Sequence, residues 1–114
     1  MPTSMRNAYT AVIARGEVWE GSVCTEPYEA AWAGEAVFFV HVTHASGAGV
    51  AVARVQISPD GLHWVDEGTQ MQFTAQAETL DFARVVNFGG WLRLHVIVPS
   101  GVAITVVATL ALKS

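Results

Sequence analysis

The segment Val50-Ala51-Val52-Ala53-Arg54-Val55-Gln56-Ile57-Ser58 runs into Pro59-Asp60-Gly61, passes His63-Trp64, and is answered later by Phe88-Gly89-Gly90-Trp91-Leu92-Arg93-Leu94-His95-Val96. Side chains alternate along a strand, so Ala51, Ala53, Val55 and Ile57 form a smooth face, with Arg54 and Gln56 opposite beside Val50 and Val52. Proline at 59 presets φ and glycine at 61 accepts φ > 0, which turns the chain. In the answering segment Leu92, Leu94, Val96 and Val98 share one face, and Trp91, Arg93, His95 and Ile97 the other. Strand, tight turn and returning strand in this alternation are how a two-layer antiparallel sandwich is written in sequence.

The same alternation extends in both directions. Residues 36–43 set Phe38, Val40 and Val42 against Val37, Phe39 and His41; with both faces largely apolar, this strand is expected at the centre of a sheet or half buried in a contact. In residues 102–112, Val102, Ile104, Val106, Leu110 and Leu112 lie on one side and Thr105, Val107, Thr109 and Ala111 on the other.

The remaining segments read less sharply. Residues 8–14 suggest a first strand stopped by Arg15-Gly16, and residues 17–20 a short edge strand. Residues 28–32 fit a helical turn or a strand equally and are read as strand, while Asp66-Glu67-Gly68 closes a hairpin before a strand at 70–73. Residues 75–81 read as a loop crossing between sheets, and residues 82–86 as the start of another strand. The expected fold is all-β, a two-layer antiparallel β-sandwich or jelly roll of about seven to eight strands. Residues 1–7 form a mobile N-terminal arm in this reading, and residues 8–114 a single domain.

Hydrophobic residues make up 52% of the chain and charged ones 14%, against about 25% charged in an ordinary soluble domain. A surface this short of charge exposes apolar patches, which mark contact with other molecules. The net charge is −4, and Arg6, Arg15, Arg54, Arg84, Arg93 and Lys113 are scattered, which offers no basic stripe to nucleic acid. The apolar run at 102–112 is too short for the ~20 residues of a membrane-crossing helix. The N-terminus lacks the pattern of a secretory signal. The expected setting is cytoplasmic, or assembled into a virion-like particle.

Candidate chemistry is sparse. His41 and His44 form the close histidine pair, but on a strand they point to opposite faces and cannot share a metal without a bend at Thr43. Cys24 has no positioned base in the sequence pattern, and a lone cysteine reads as a small buried hydrophobe. Asp60, Asp66 and Glu67 sit in a turn region and read as solvated loop carboxylates rather than a glycosidase pair. No phosphate cradle, nucleophile elbow or Cys-x-x-Cys is present. The chain therefore reads as a non-enzyme with no catalytic residue, no metal and no cofactor, and a small-molecule ligand is not expected.

The segments 55–64 and 82–96, with a Ser-x-Asp-Gly-x-x-Trp turn followed by an Asn-Phe-Gly-x-x-x-Arg return strand, resemble small phage-type structural proteins such as capsid decoration and other virion sandwich proteins. The likeness covers roughly residues 36–112 and implies a structural role in a shell, tube or other repeated assembly. The same turn and arginine strand resemble discoidin-like carbohydrate-binding sandwiches, although this chain has one cysteine where many of those domains use a pair.

The expected function is that of a structural subunit that self-assembles or decorates a larger protein shell, with copies of itself or a host shell as partners. Contact is expected through Trp19, Val37, Phe39, His41, Arg54, Trp91, Arg93 and His95. The alternative is a carbohydrate-binding module with Trp64 and Trp91 as its platform.

Overall fold

The structure is a computed structural model that describes residues 7–86 and 88–114; residues 1–6 of the arm expected at 1–7, and Asn87 of the Asn-Phe-Gly motif, lie outside the described residues. Among the described residues nine strands run in chain order: β1 (Ala8–Trp19), β2 (Ser22–Cys24), β3 (Tyr28–Glu29), β4 (Glu35–Ser46), β5 (Val50–Ser58), β6 (Val65–Thr74), β7 (Thr79–Val86), β8 (Trp91–Ile97) and β9 (Ala103–Lys113). A four-stranded sheet has the order β1-β9-β4-β7, and a five-stranded sheet the order β2-β8-β5-β6 with β3 also on β8. Every strand pairing among the described residues is antiparallel.

Successive strands alternate between the sheets, apart from the β2–β3 and β5–β6 connections, so β8 returns between β2 and β5 and β9 returns between β1 and β4. This is the double Greek-key winding of a jelly roll. The sandwich expected from the alternating segments is thus the one observed, with the edge strand of the five-stranded sheet split into β2 and β3.

The inner faces form one core. Phe38, Val40 and Val42 of β4, Ala51, Ala53 and Val55 of β5, Leu92, Leu94 and Val96 of β8, and Ile104, Val106, Leu110 and Leu112 of β9 are all buried. Each large aliphatic or aromatic side chain so placed contributes roughly 1.5–3 kcal/mol through burial. The faces assigned to these strands from sequence are the faces the fold buries.

Three expectations are corrected. Residues 8–20 do not form two strands: β1 runs through Arg15-Gly16 and stays paired to β9 from Ala8↔Lys113 to Trp19↔Ile104, with register shifts between Val12 and Ala14 and between Arg15 and Glu17. Gly16, with φ 64°, serves a bulge rather than a turn. Residues 66–68 do not close the β5–β6 hairpin; they lie inside β6, and the turn is at 59–64. The segment 75–81 is a crossing loop only at its start, because β7 begins at Thr79.

The break between β2 and β3 is bridged by Thr25. Its backbone N–H donates to the Leu94 carbonyl at 3.0 Å, and its Oγ1 accepts from the Leu94 N–H at 2.9 Å. Pro27, just beyond, has no N–H with which to continue the ladder.

Candidate interaction surfaces

Cross-strand pairing fixes which side chains share the outer face of the four-stranded sheet. Val12, Thr109, Phe39 and Phe82 lie in one row across β1, β9, β4 and β7. Val37 and Arg84 lie in the next row on one side, His41 and Leu80 in the next on the other. The Phe39 and Phe82 rings are 6.2 Å apart at 40°, and the Arg84 guanidinium lies 5.5 Å from the Phe82 centroid. Val37, Phe39, Phe82 and Arg84 line a shallow depression of about 260 Å³. His41 Nε2 stands 3.5 Å from Glu78 Oε2 at the margin.

Leu80, Phe82 and Val86 are 63%, 52% and 53% exposed. These β7 residues escaped the sequence reading. Their alternation with Asp81, Ala83 and Val85 was present, but a charged Asp81 on the inward parity obscured it.

The opposite surface, the outer face of the five-stranded sheet, carries a polar and aromatic cluster beside Val50, Val52 and Ile97. Arg93 Nε donates to Gln56 Oε1 at 2.7 Å, Gln56 Nε2 donates to Asp66 Oδ1 at 2.9 Å, and the Arg93 guanidinium lies 4.3 Å from the Trp64 ring centroid. This arrangement immobilises the arginine and covers one face of the Trp64 ring. Trp91 packs over Gly61, where an added Cβ would lie 3.2 Å from its ring carbons. His95 Nε2 bonds Ser22 Oγ at 2.8 Å, and His95 is paired with both Cys24 and Arg54.

The eight contact residues expected from sequence therefore do not form one site. Val37, Phe39 and His41 lie on the four-stranded sheet, and Arg54, Trp91, Arg93 and His95 on the five-stranded one, a sandwich thickness away. Trp19 belongs to neither, being buried in the core at 1% exposure. The two register shifts in β1 cancel in parity, so Trp19 faces inward with Ala11 and Ile13 as part of one continuous strand, opposite Ile104. Cys24, expected to be buried, is exposed. The two glycan-platform candidates, Trp64 and Trp91, do share a face with Arg93.

The Pro59-Asp60-Gly61 turn is fixed by its own side chains. Ser58 Oγ accepts from the Gly61 N–H at 2.8 Å and donates to Asp60 Oδ1 at 3.0 Å. Asp60 Oδ1 accepts from the backbone N–H groups of Leu62 and His63, each at 2.9 Å, and Oδ2 lies 2.6 Å from His63 Nδ1. The backbone bonds from His63 and Leu62, then the His63 ring, hold the Asp60 carboxyl far below the usual carboxylate range. A carboxylate engaged in this way organises a turn and is poorly suited to take up protons as a base. Among the described residues, no group of three or more His, Cys, Asp or Glu side chains could hold a metal ion. No helix among them is long and apolar enough to cross a membrane.

With this geometry in view, comparisons with known proteins show a shared fold. The SPBc2 prophage-derived protein YomS superposes with a TM-score of 0.63 at 8% identity, over 100% of this chain and 99% of that one. A chain from the structure of infectious bursal disease virus, Gx strain, superposes with a TM-score of 0.57 at 11% identity, over 96% of this chain and 32% of that one. The likeness is one of fold alone. A carbohydrate-binding module of the beta-sandwich superfamily aligns with a TM-score of 0.38 at 7% identity, over 95% of this chain and 54% of that one. No protein-family model matches the sequence, and no curated protein matches it.

Proposed function

We propose that this protein is a non-enzymatic structural subunit that associates with copies of itself, or coats a larger protein assembly of phage type, through the outer face of its four-stranded sheet. The observation that carries this reading is the exposure of Leu80, Phe82 and Val86 beside Val37 and Phe39, on a sandwich whose core is already filled by other residues. A contiguous apolar surface with no internal role is a contact surface. A fold shared with a prophage-derived protein and with a chain of a virus structure fits the same reading.

Native mass measurement tests it. The wild type should run as a defined oligomer or polymer. Phe39→Glu removes a large apolar contact and places a charge in the interface, which should weaken association roughly tenfold or more. Trp91→Glu, on the opposite face, should leave association intact. A wild type that stays monomeric at high concentration rejects self-association and leaves only the coating of another assembly, and release by Trp91→Glu alone would move the contact to the other sheet.

The second reading, a saccharide-binding module, is supported by Trp64 and Trp91 lying on one outer face with the fixed Arg93. Tryptophan fluorescence that is silent across a glycan panel removes it.

A further inference from the structure

We infer that two copies join edge to edge along β7, in antiparallel register about a two-fold axis at Ala83, so that their four-stranded sheets become one continuous sheet. This rests on the assembly reading above and adds to its face contact a second contact between copies, at the sheet edge beside that face.

Sheet edges carry unpaired N–H and C=O groups, and folded proteins blunt them with bulges, charges, proline or short strands. Among the described residues, three of the four edges here are blunted. The β1 edge carries two bulges with Arg15, Gly16 and Glu17. The β6 edge carries a register shift at Glu67-Gly68-Thr69, with Gly68 at φ 113°. The β2 and β3 edge is split into pieces of 3 and 2 residues around Pro27.

The β7 edge differs. Its 8 residues include two charged ones, Asp81 and Arg84, but neither glycine nor proline, and unlike the other three edges it is unbroken: its pairing with β4 runs from Glu35↔Val86 to Val42↔Thr79 without a shift. No strand pairs with its other side among the described residues. Three of the four exposed side chains beside that open edge, Leu80, Phe82 and Val86, are apolar, and the fourth is Arg84; an unbroken apolar edge recruits another strand.

The sequence of β7 is complementary to itself in one register. A two-fold axis perpendicular to the sheet keeps both outer faces on the same side, so residues of equal parity must pair. Centring on Ala83 sets Leu80 opposite Val86 of the second copy, and Phe82 opposite Arg84 of the second copy. Arg84 already lies over the Phe82 ring within one chain, so the cross-copy pairing meets a cation with the same kind of surface. Centring on Arg84 would instead oppose two guanidinium groups. The axial residue, Ala83, is small and points inward, so it does not crowd the seam.

A charge-exchange experiment on the full chain tests this register. Leu80 and Val86 are exposed, so charged replacements leave the core intact. Leu80→Lys with Val86→Lys places like charges opposite each other twice and should raise the dimer dissociation constant roughly tenfold or more. Leu80→Glu with Val86→Lys places opposite charges there and should restore association to within roughly tenfold of wild type. The two positions lie far apart along one strand, so rescue cannot come from within a chain. Amide hydrogen exchange in the wild type should show protection of β7 that grows with protein concentration.

Two double variants that behave alike, both associated or both monomeric, overturn the register. A wild-type oligomer whose β7 amides gain no protection overturns edge pairing while leaving assembly in place. A wild-type monomer removes both.

Discussion

Asp60 is the residue whose chemistry the fold changes most. Its folded-state pKa is depressed below the ordinary 3.8 by two backbone N–H donors, then by the His63 ring. Folding therefore favours the ionised form, and that contribution to stability is complete above the ordinary value. It is withdrawn as the pH falls below that value towards the folded-state pKa. Asp60→Ala should lower Tm at neutral pH, and its deficit relative to wild type should shrink as the pH is taken from about 5 towards about 2. Thermal melts of both proteins across that window check this, and a deficit that stays constant would show that the carboxylate's charge plays no part. The turn that the charge organises also seats Trp91. With φ 80° and the Trp91 ring directly over it, Gly61 is held by both backbone sign and space, so the Asp-Gly pair beside Trp91 is one local unit.

At the scale of the element, Thr25 shows how a broken edge strand remains attached. Its buried hydroxyl accepts from the Leu94 N–H where the β2 ladder stops. Thr25→Val keeps the shape and leaves that N–H without a partner, at a cost of about 1–3 kcal/mol. Thr25→Ser keeps the acceptor and loses only a methyl group, about 0.8 kcal/mol. Denaturant midpoints should rank wild type above Ser above Val; equal midpoints for Ser and Val would show that the hydroxyl contributes nothing.

The elements differ in how plainly the sequence shows them. β4, β5, β8 and β9 were legible face by face because each buries one parity of side chains, in β4 as far as Val42 and in β5 as far as Val55. β1 was not, because Arg15-Gly16 looks the same at a turn and at a bulge, and pairing with a distant β9 decides between them. Splitting β1 at that point also misplaced Trp19, whose inward direction follows from its belonging to the same strand as Ala11 and Ile13. The outward placement of the residues named for contact was half legible: parity separates inner from outer faces but does not say to which of two sheets an outer face belongs. Phe39 and Trp91 therefore looked alike in sequence and lie on opposite surfaces.

The whole molecule presents two unlike sides, and they respond to salt in opposite ways. On one, Val12, Phe39, Phe82 and Leu80 form apolar rows with little charge among them; on the other, Arg93, Gln56, Asp66, Arg54 and His95 form a polar lattice. Association through the first side removes apolar area from water, a driving force that excluded salts such as sulfate strengthen. Association through the second would depend on charges whose reach contracts from about 10 Å at 0.1 M salt to about 3 Å at 1 M. Sedimentation equilibrium should therefore give a dissociation constant that is unchanged or smaller in about 1 M sodium chloride, and smaller still in sodium sulfate at equal ionic strength. Dissociation roughly tenfold weaker or more in sulfate than in dilute buffer would fit an apolar contact, whereas a rise of that size in the dissociation constant would transfer the interface to the side that carries Arg93.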